Sequence, residues 1–163
     1  MKDRIDYEKY DIFKGIEGKN LDTLMTCMNA FLHHVGAGEE IGIVAGKTAL
    51  IVGGTVSFIR NSAGRGVGMK TPDSSGTPDT AEIPAEADAP DTADAPAAAE
   101  VIREGDLLGD GFLRSAEVKK VWTEDGCDML VMNSSTMGMP CWWSCFFHSA
   151  FIDNLEKYRA EHS

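Results

Sequence analysis

The sequence predicts an α+β fold, in which a helical hairpin packs with a β-hairpin and a C-terminal aromatic helix. Three observations predict it. Residues 20–35 and 39–59 carry apolar or small side chains at helical spacing, and residues 118–132 hold two short apolar runs around an Asp-Gly turn. Between these halves, residues 71–100 carry a proline at every sixth position.

The first helix starts at Asn20, a good N-cap, and runs through Leu21, Leu24, Met25, Met28, Leu32 and Val35. Those steps of three and four make one apolar stripe, and Gly36 stops it. Gly36-Ala37-Gly38 turns the chain. Glu39 and Glu40 then open a second helix, where carboxylates suit the positive end of the dipole. Along it Gly42 and Gly46, and likewise Ala45, Ala49 and Gly53, recur at four-residue spacing, which lets another backbone approach closely. Ile41 to Ile59 is nineteen residues with one charge, Lys47, and reaches the length of a membrane span. Against a span stand four glycines, three hydroxyl residues and that lysine, which costs about 3 kcal/mol near a bilayer centre. A buried core helix is the better reading.

Pro72, Pro78, Pro84, Pro90 and Pro96 punctuate a stretch with eight carboxylates and no Lys or Arg. Missing backbone donors, acidic self-repulsion and few apolar side chains predict a disordered acidic linker over 71–100. The domain reading follows: 1–70 is a helical half, and 101–163 a β-hairpin plus helix that packs with it as one domain. The linker carries −8 of the −11 net charge, leaving 18 acids against 15 bases elsewhere. The folded part therefore has no basic field, which excludes nucleic acid as a partner.

Val118–Trp122 and Met129–Met132 flank Asp125-Gly126, the chemistry of a tight hairpin turn. Pro140 suits the first position of a last helix running to about Arg159. Apolar positions cover more than half of its circumference, so it is buried or faces a ligand or partner.

That helix carries the densest constellation. Cys141, Cys145 and His148 stand at i, i+4 and i+7, one column on one face. Two thiols and an imidazole are three of the four ligands of zinc or another thiolate-bound metal. Cys127, Cys27, His33 or His34 could complete the set. The alternative is core packing, since reduced cysteine behaves as a small hydrophobe and this spacing departs from the usual two-residue knuckle. His33 and His34 point about 100° apart on a helix and do not share one metal. Gly42 to Thr48 resembles a phosphate loop but has three residues between its glycines where that loop needs four. Gly64-Arg65-Gly66-Val67-Gly68 reads as a flexible lead into the linker. The first ten residues are charged without an apolar h-region, and the four cysteines then read as reduced thiols of a cytoplasmic protein.

Taken in order, Gly36-Ala37-Gly38, Val44-Ala45-Gly46-Lys47, Val131-Met132-Asn133-Ser134 and Pro140-Cys141 make the chain resemble the V4R (4-vinyl reductase-like) small-molecule-binding domain. The resemblance implies an α+β fold, a hydrophobic ligand and a metal held by cysteines, with Cys141 as the matching position. The expected function is a small-molecule- or cofactor-binding sensor or carrier module, with no bond-making step. Its ligand would lie between helix 41–59, at Gly46, and helix 141–158, against Trp142, Trp143, Phe146 and Phe147. The other reading is a non-catalytic accessory subunit of a larger assembly or a homodimer, docking on a protein partner through its apolar helices while the acidic tether wraps it.

Overall fold

Among the described residues, seven strands rather than a helical hairpin build the body of the chain. The computed structural model describes residues 5–61, 98–112, 118–139 and 145–162. The strands are β1 (Phe31–Val35), β2 (Lys47–Gly54), β3 (Val56–Arg60), β4 (Glu100–Ile102), β5 (Leu107–Gly109), β6 (Val118–Trp122) and β7 (Cys127–Asn133). The helices are α1 (Gly18–Cys27), the single turn α2 (Ser134–Met137) and α3 (Phe146–Glu161). Two antiparallel sheets result, one ordered β1-β7-β2-β5 and the other β4-β3-β6.

One long ribbon explains both sheets. Lys47 pairs with Asn133 and the ladder continues to Gly54 with Cys127. It resumes at Ser57 with Trp122 and ends at Arg60 with Val118. Residues 47–60 and 118–133 therefore run antiparallel through both sheets and bend together at Gly54 and at Thr123–Gly126. Gly54 needs its freedom there: φ is +80°, and a Cβ would lie 2.4 Å from the Gly126 carbonyl oxygen. Buried Thr123 locks the corner, its hydroxyl donating to the Thr55 carbonyl at 2.9 Å. On the far side of 47–60, β4 pairs with β3 and β5 with β2 through the same bend.

The expected helix over 39–59 is thus a pair of strands. Thr48, Ile51, Val52, Thr55, Val56 and Ile59 are β-branched and suit a pleated surface. Thr48 to Val52 are all buried, because β2 is covered on both faces, so the segment reads as a continuous apolar run without visible alternation. The first helix is shorter than its periodicity predicts. Asn29 takes the left-handed conformation at φ +49°, Met28 N–H returns to the Leu24 carbonyl, and the chain leaves as β1. The expected hairpin is corrected too. Both of its strands form where expected, but β6 pairs with β3 and β7 with β1 and β2, so the Asp-Gly segment is a corner between sheets.

The two faces of the first sheet serve two cores. Leu50, Val52, Leu130 and Met132 meet α1, α3 and the amino-terminal Ile12, Phe13 and Ile16. Phe151 of α3 stacks on Phe13 at 5.5 Å between ring centres. Ala49, Ile51, Cys127, Met129 and Val35 face the other way, toward Val56, Phe58 and Val121 of the second sheet. The buried stripe of α3, Phe151, Leu155 and Tyr158, lies within the first core, so it is not the docking face expected for an accessory subunit. Among the described residues no helix is long and apolar enough to cross a membrane. Of the stretch read as linker, 71–97 lies outside the described residues, and Glu100 opens β4.

Candidate functional site

Strand alternation builds the site. On β1 the residues Phe31, His33 and Val35 share one face, as do Lys47 and Ala49 on β2 and Met129 and Val131 on β7. The register joins them into rows. Phe31, Val131, Ala49 and Leu108 lie side by side across four strands, and His33, Met129 and Ile51 form the next row. Above these rows, residues 39–44 cross as a strap. A cavity of about 350 Å³ lies between, with an apolar floor and with Glu39, Glu40, His33 and Lys47 at its edges.

The strap is tied at both ends. Ile41 N–H donates to the Val121 carbonyl at 2.8 Å, and Lys47 N–H to the Val44 carbonyl at 3.1 Å. Gly46 takes φ +78°, donates its N–H to the Asp110 carboxylate at 2.6 Å, and accepts from Ser134 N–H at 3.0 Å. Thr48 continues that knot, its hydroxyl contacting Ser134 Oγ at 2.9 Å and the Asp110 carbonyl at 3.2 Å. Between the ties, Gly42 has open space around its Cα and Val44 is exposed.

The charges are distributed unevenly. Glu39 turns back to accept the Gly36 N–H at 2.8 Å. Half-buried Lys47 has no carboxylate within ion-pair distance among the described residues. His34, on the opposite face from His33, is held by Asp128 at 2.8 Å. Cys127, on the same face of β7 as Met129, is buried between the sheets, and burial pushes its thiol up from the ordinary range.

Of the residues expected to form the site, those that the structure describes do not line this cavity. Cys141, Trp142 and Trp143 lie outside the described residues. Cys145 is the N-cap of α3 with extended backbone (φ −64°, ψ 113°), so the helix begins at Phe146, and Cys141, the first member of the expected column, lies outside the described residues. Buried His148 donates from Nε2 to the Thr136 carbonyl at 3.1 Å, while its Nδ1 has no hydrogen-bond partner among the described residues. Phe146 points into solvent, and Phe147 packs on the helix-side core. Among the described residues no group of three or more His, Cys, Asp or Glu side chains could hold a metal. Gly46 anchors the strap without lining the cavity, and His33, considered as a fourth metal ligand, stands at the cavity's edge. Sequence reasoning missed Phe31, Lys47, Ala49, Met129 and Val131. The alternation Phe31-x-His33-x-Val35 was the available signal, hidden because the same residues also fit a helical period.

No family model matches the chain, and no curated protein matches it. Among solved structures it is similar to the crystal structure of the Thermus thermophilus catabolite activator protein, with TM-score 0.53 and 12% identity over 93% of this chain and 57% of that one. It also superposes on PKAR CBD2 with Sp-2Cl-cAMPS bound, with TM-score 0.47 and 9% identity over 94% of this chain and 80% of that one, too loosely to reason from. The chain spans little more than half of the activator structure, and at such identity the likeness shows the fold alone. That β-rich fold overturns both the V4R resemblance and the helical-hairpin architecture.

Proposed function

We propose that this chain is a small-molecule-binding sensor module whose ligand occupies the cavity under the 39–44 strap. The observation that carries the reading is the cavity itself: an apolar floor drawn from four strands, with few polar groups at its ends, at a volume typical of ligand sites. Its placement suits a sensor. The floor is one face of the first sheet, and the other face of that sheet carries α1 and α3. A ligand that shifts β2 or β7 therefore acts on residues that alternate with those seating α3. The shared fold with an activator protein is consistent with such a role.

Ala49 offers the direct test, being a small side chain in the middle of the floor. Ala49→Phe should fill the cavity while α1, α3 and the outer core stay in place. A bound ligand at a hundredfold excess over Kd stabilises a protein by about 2.7 kcal/mol, roughly 5–10 °C in Tm for a domain of this size. The native chain should show such shifts with apolar small molecules, and Ala49→Phe should lose them. Shifts of equal size in the variant would place the ligand outside this cavity.

A further inference from the structure

Lys47 and the two glutamates stand at opposite ends of the cavity. Lys47 pairs with Asn133, whereas Val35, the residue before the Gly36 that holds the Glu39 carboxylate, pairs with Cys127. Those partners are six residues apart on β7, a separation of about 20 Å at the rise of an antiparallel strand. The Phe31–Val131–Ala49–Leu108 row lies between, beside Lys47. The cavity is therefore polar in a directional sense: a cation at one end, an apolar middle, and carboxylates at the other.

Lys47 lines the cavity and has no carboxylate within ion-pair distance among the described residues, so its ammonium can take up an incoming anion. We infer that the cavity selects a singly charged oxyanion, a carboxylate or phenolate, on an otherwise apolar body, with the charged end seated on Lys47. The inference rests on the cavity being the ligand site. Glu39 and Glu40 at the far end repel a second negative charge, so dianions are disfavoured. A polar body such as a nucleoside would leave its donors and acceptors unpaired against Val131, Ala49 and Leu108.

Isothermal titration of the full chain with matched pairs tests this: 2-naphthoate against 2-naphthamide, octanoate against octanamide, and cyclic AMP beside them. Each acid should bind at least about tenfold more tightly than its amide, and cyclic AMP should bind more weakly than either acid. Lys47→Met should abolish the preference by bringing acid affinity down to that of the amide, while Lys47→Arg retains it. Amides that bind as tightly as acids overturn the anion seat and leave the cavity reading standing. Cyclic AMP binding most tightly overturns the apolar body. No binding by any of the five overturns the cavity reading with it. If Lys47→Met does not fold, the acid–amide comparison in the native chain decides alone.

Discussion

Glu104 shows how single side chains tie the amino-terminal segment to the sheets. Its carboxylate accepts from Lys9 Nζ and, at 2.9 Å, from the Tyr10 hydroxyl, which also reaches the Val52 carbonyl at 3.0 Å. The Lys9 ammonium, then the Tyr10 hydroxyl, hold the Glu104 carboxyl below its ordinary range. Burial, reinforced by Glu104, pushes Tyr10 up to about 12. The sign for Glu104 follows from linkage. A carboxyl whose folded pKa is depressed contributes stability above its unfolded pKa and loses it as pH falls through the folded value. Glu104→Gln should therefore melt slightly lower than the native chain at pH 7. The two melting curves should converge as pH falls through the depressed folded value, where the native carboxyl also protonates. A difference that persists undiminished into acid would mean that Glu104 acts by packing and not by charge.

At the scale of elements, the close approach of β5 to β2 depends on one absent side chain. Gly109 has φ +113°, and a Cβ there would lie 2.4 Å from the Lys47 carbonyl oxygen. Gly109→Ala should destabilise by about 3 kcal/mol, combining backbone strain with a backbone collision. Gly53, on β2 opposite Asp128 of β7, is the contrast. A Cβ at Gly53 would meet only the Asp128 side chain at 3.6 Å, and Gly53→Ala should change stability by less than about 1 kcal/mol. Urea unfolding of both variants compares them, and equal losses would count against the crossing as the cause. Because Gly109 follows Leu108 at the cavity floor, the same variant should also weaken ligand binding.

For the molecule as a whole, residues 62–97 join two strands that already pair. Phe58 is opposite Glu100, and Arg60 Nε donates to Glu100 at 2.8 Å. A four-residue turn from Asn61 to Ala98 would close β3 onto β4 directly. Counted as chain length alone, the ninefold shortening favours folding by about 2 kcal/mol. A chain so shortened should keep its circular dichroism and melt no lower than the native one. A lower Tm would show that 62–97 contributes to the folded unit.

What the sequence by itself determined is local: the breaks in the chain, the apolar segments, the two strands around Asp125-Gly126, and the last helix, whose register of Phe151, Leu155 and Tyr158 is visible in its own spacing. A helix satisfies its hydrogen bonds within four residues, so its evidence lies within its own segment. Tertiary structure decided the rest. Lys47–Arg60 is strand because its partners are Glu100–Gly109 and Val118–Asn133, about 40 to 90 residues away, and no local pattern records such pairing. Burial on both faces then erased the alternation that would have announced β2. The spacing behind the expected metal column assumed a helix through Cys145, whereas α3 begins at Phe146. The cavity could not be foreseen from any one segment, because its floor takes a single residue in each row from each of several strands remote in sequence.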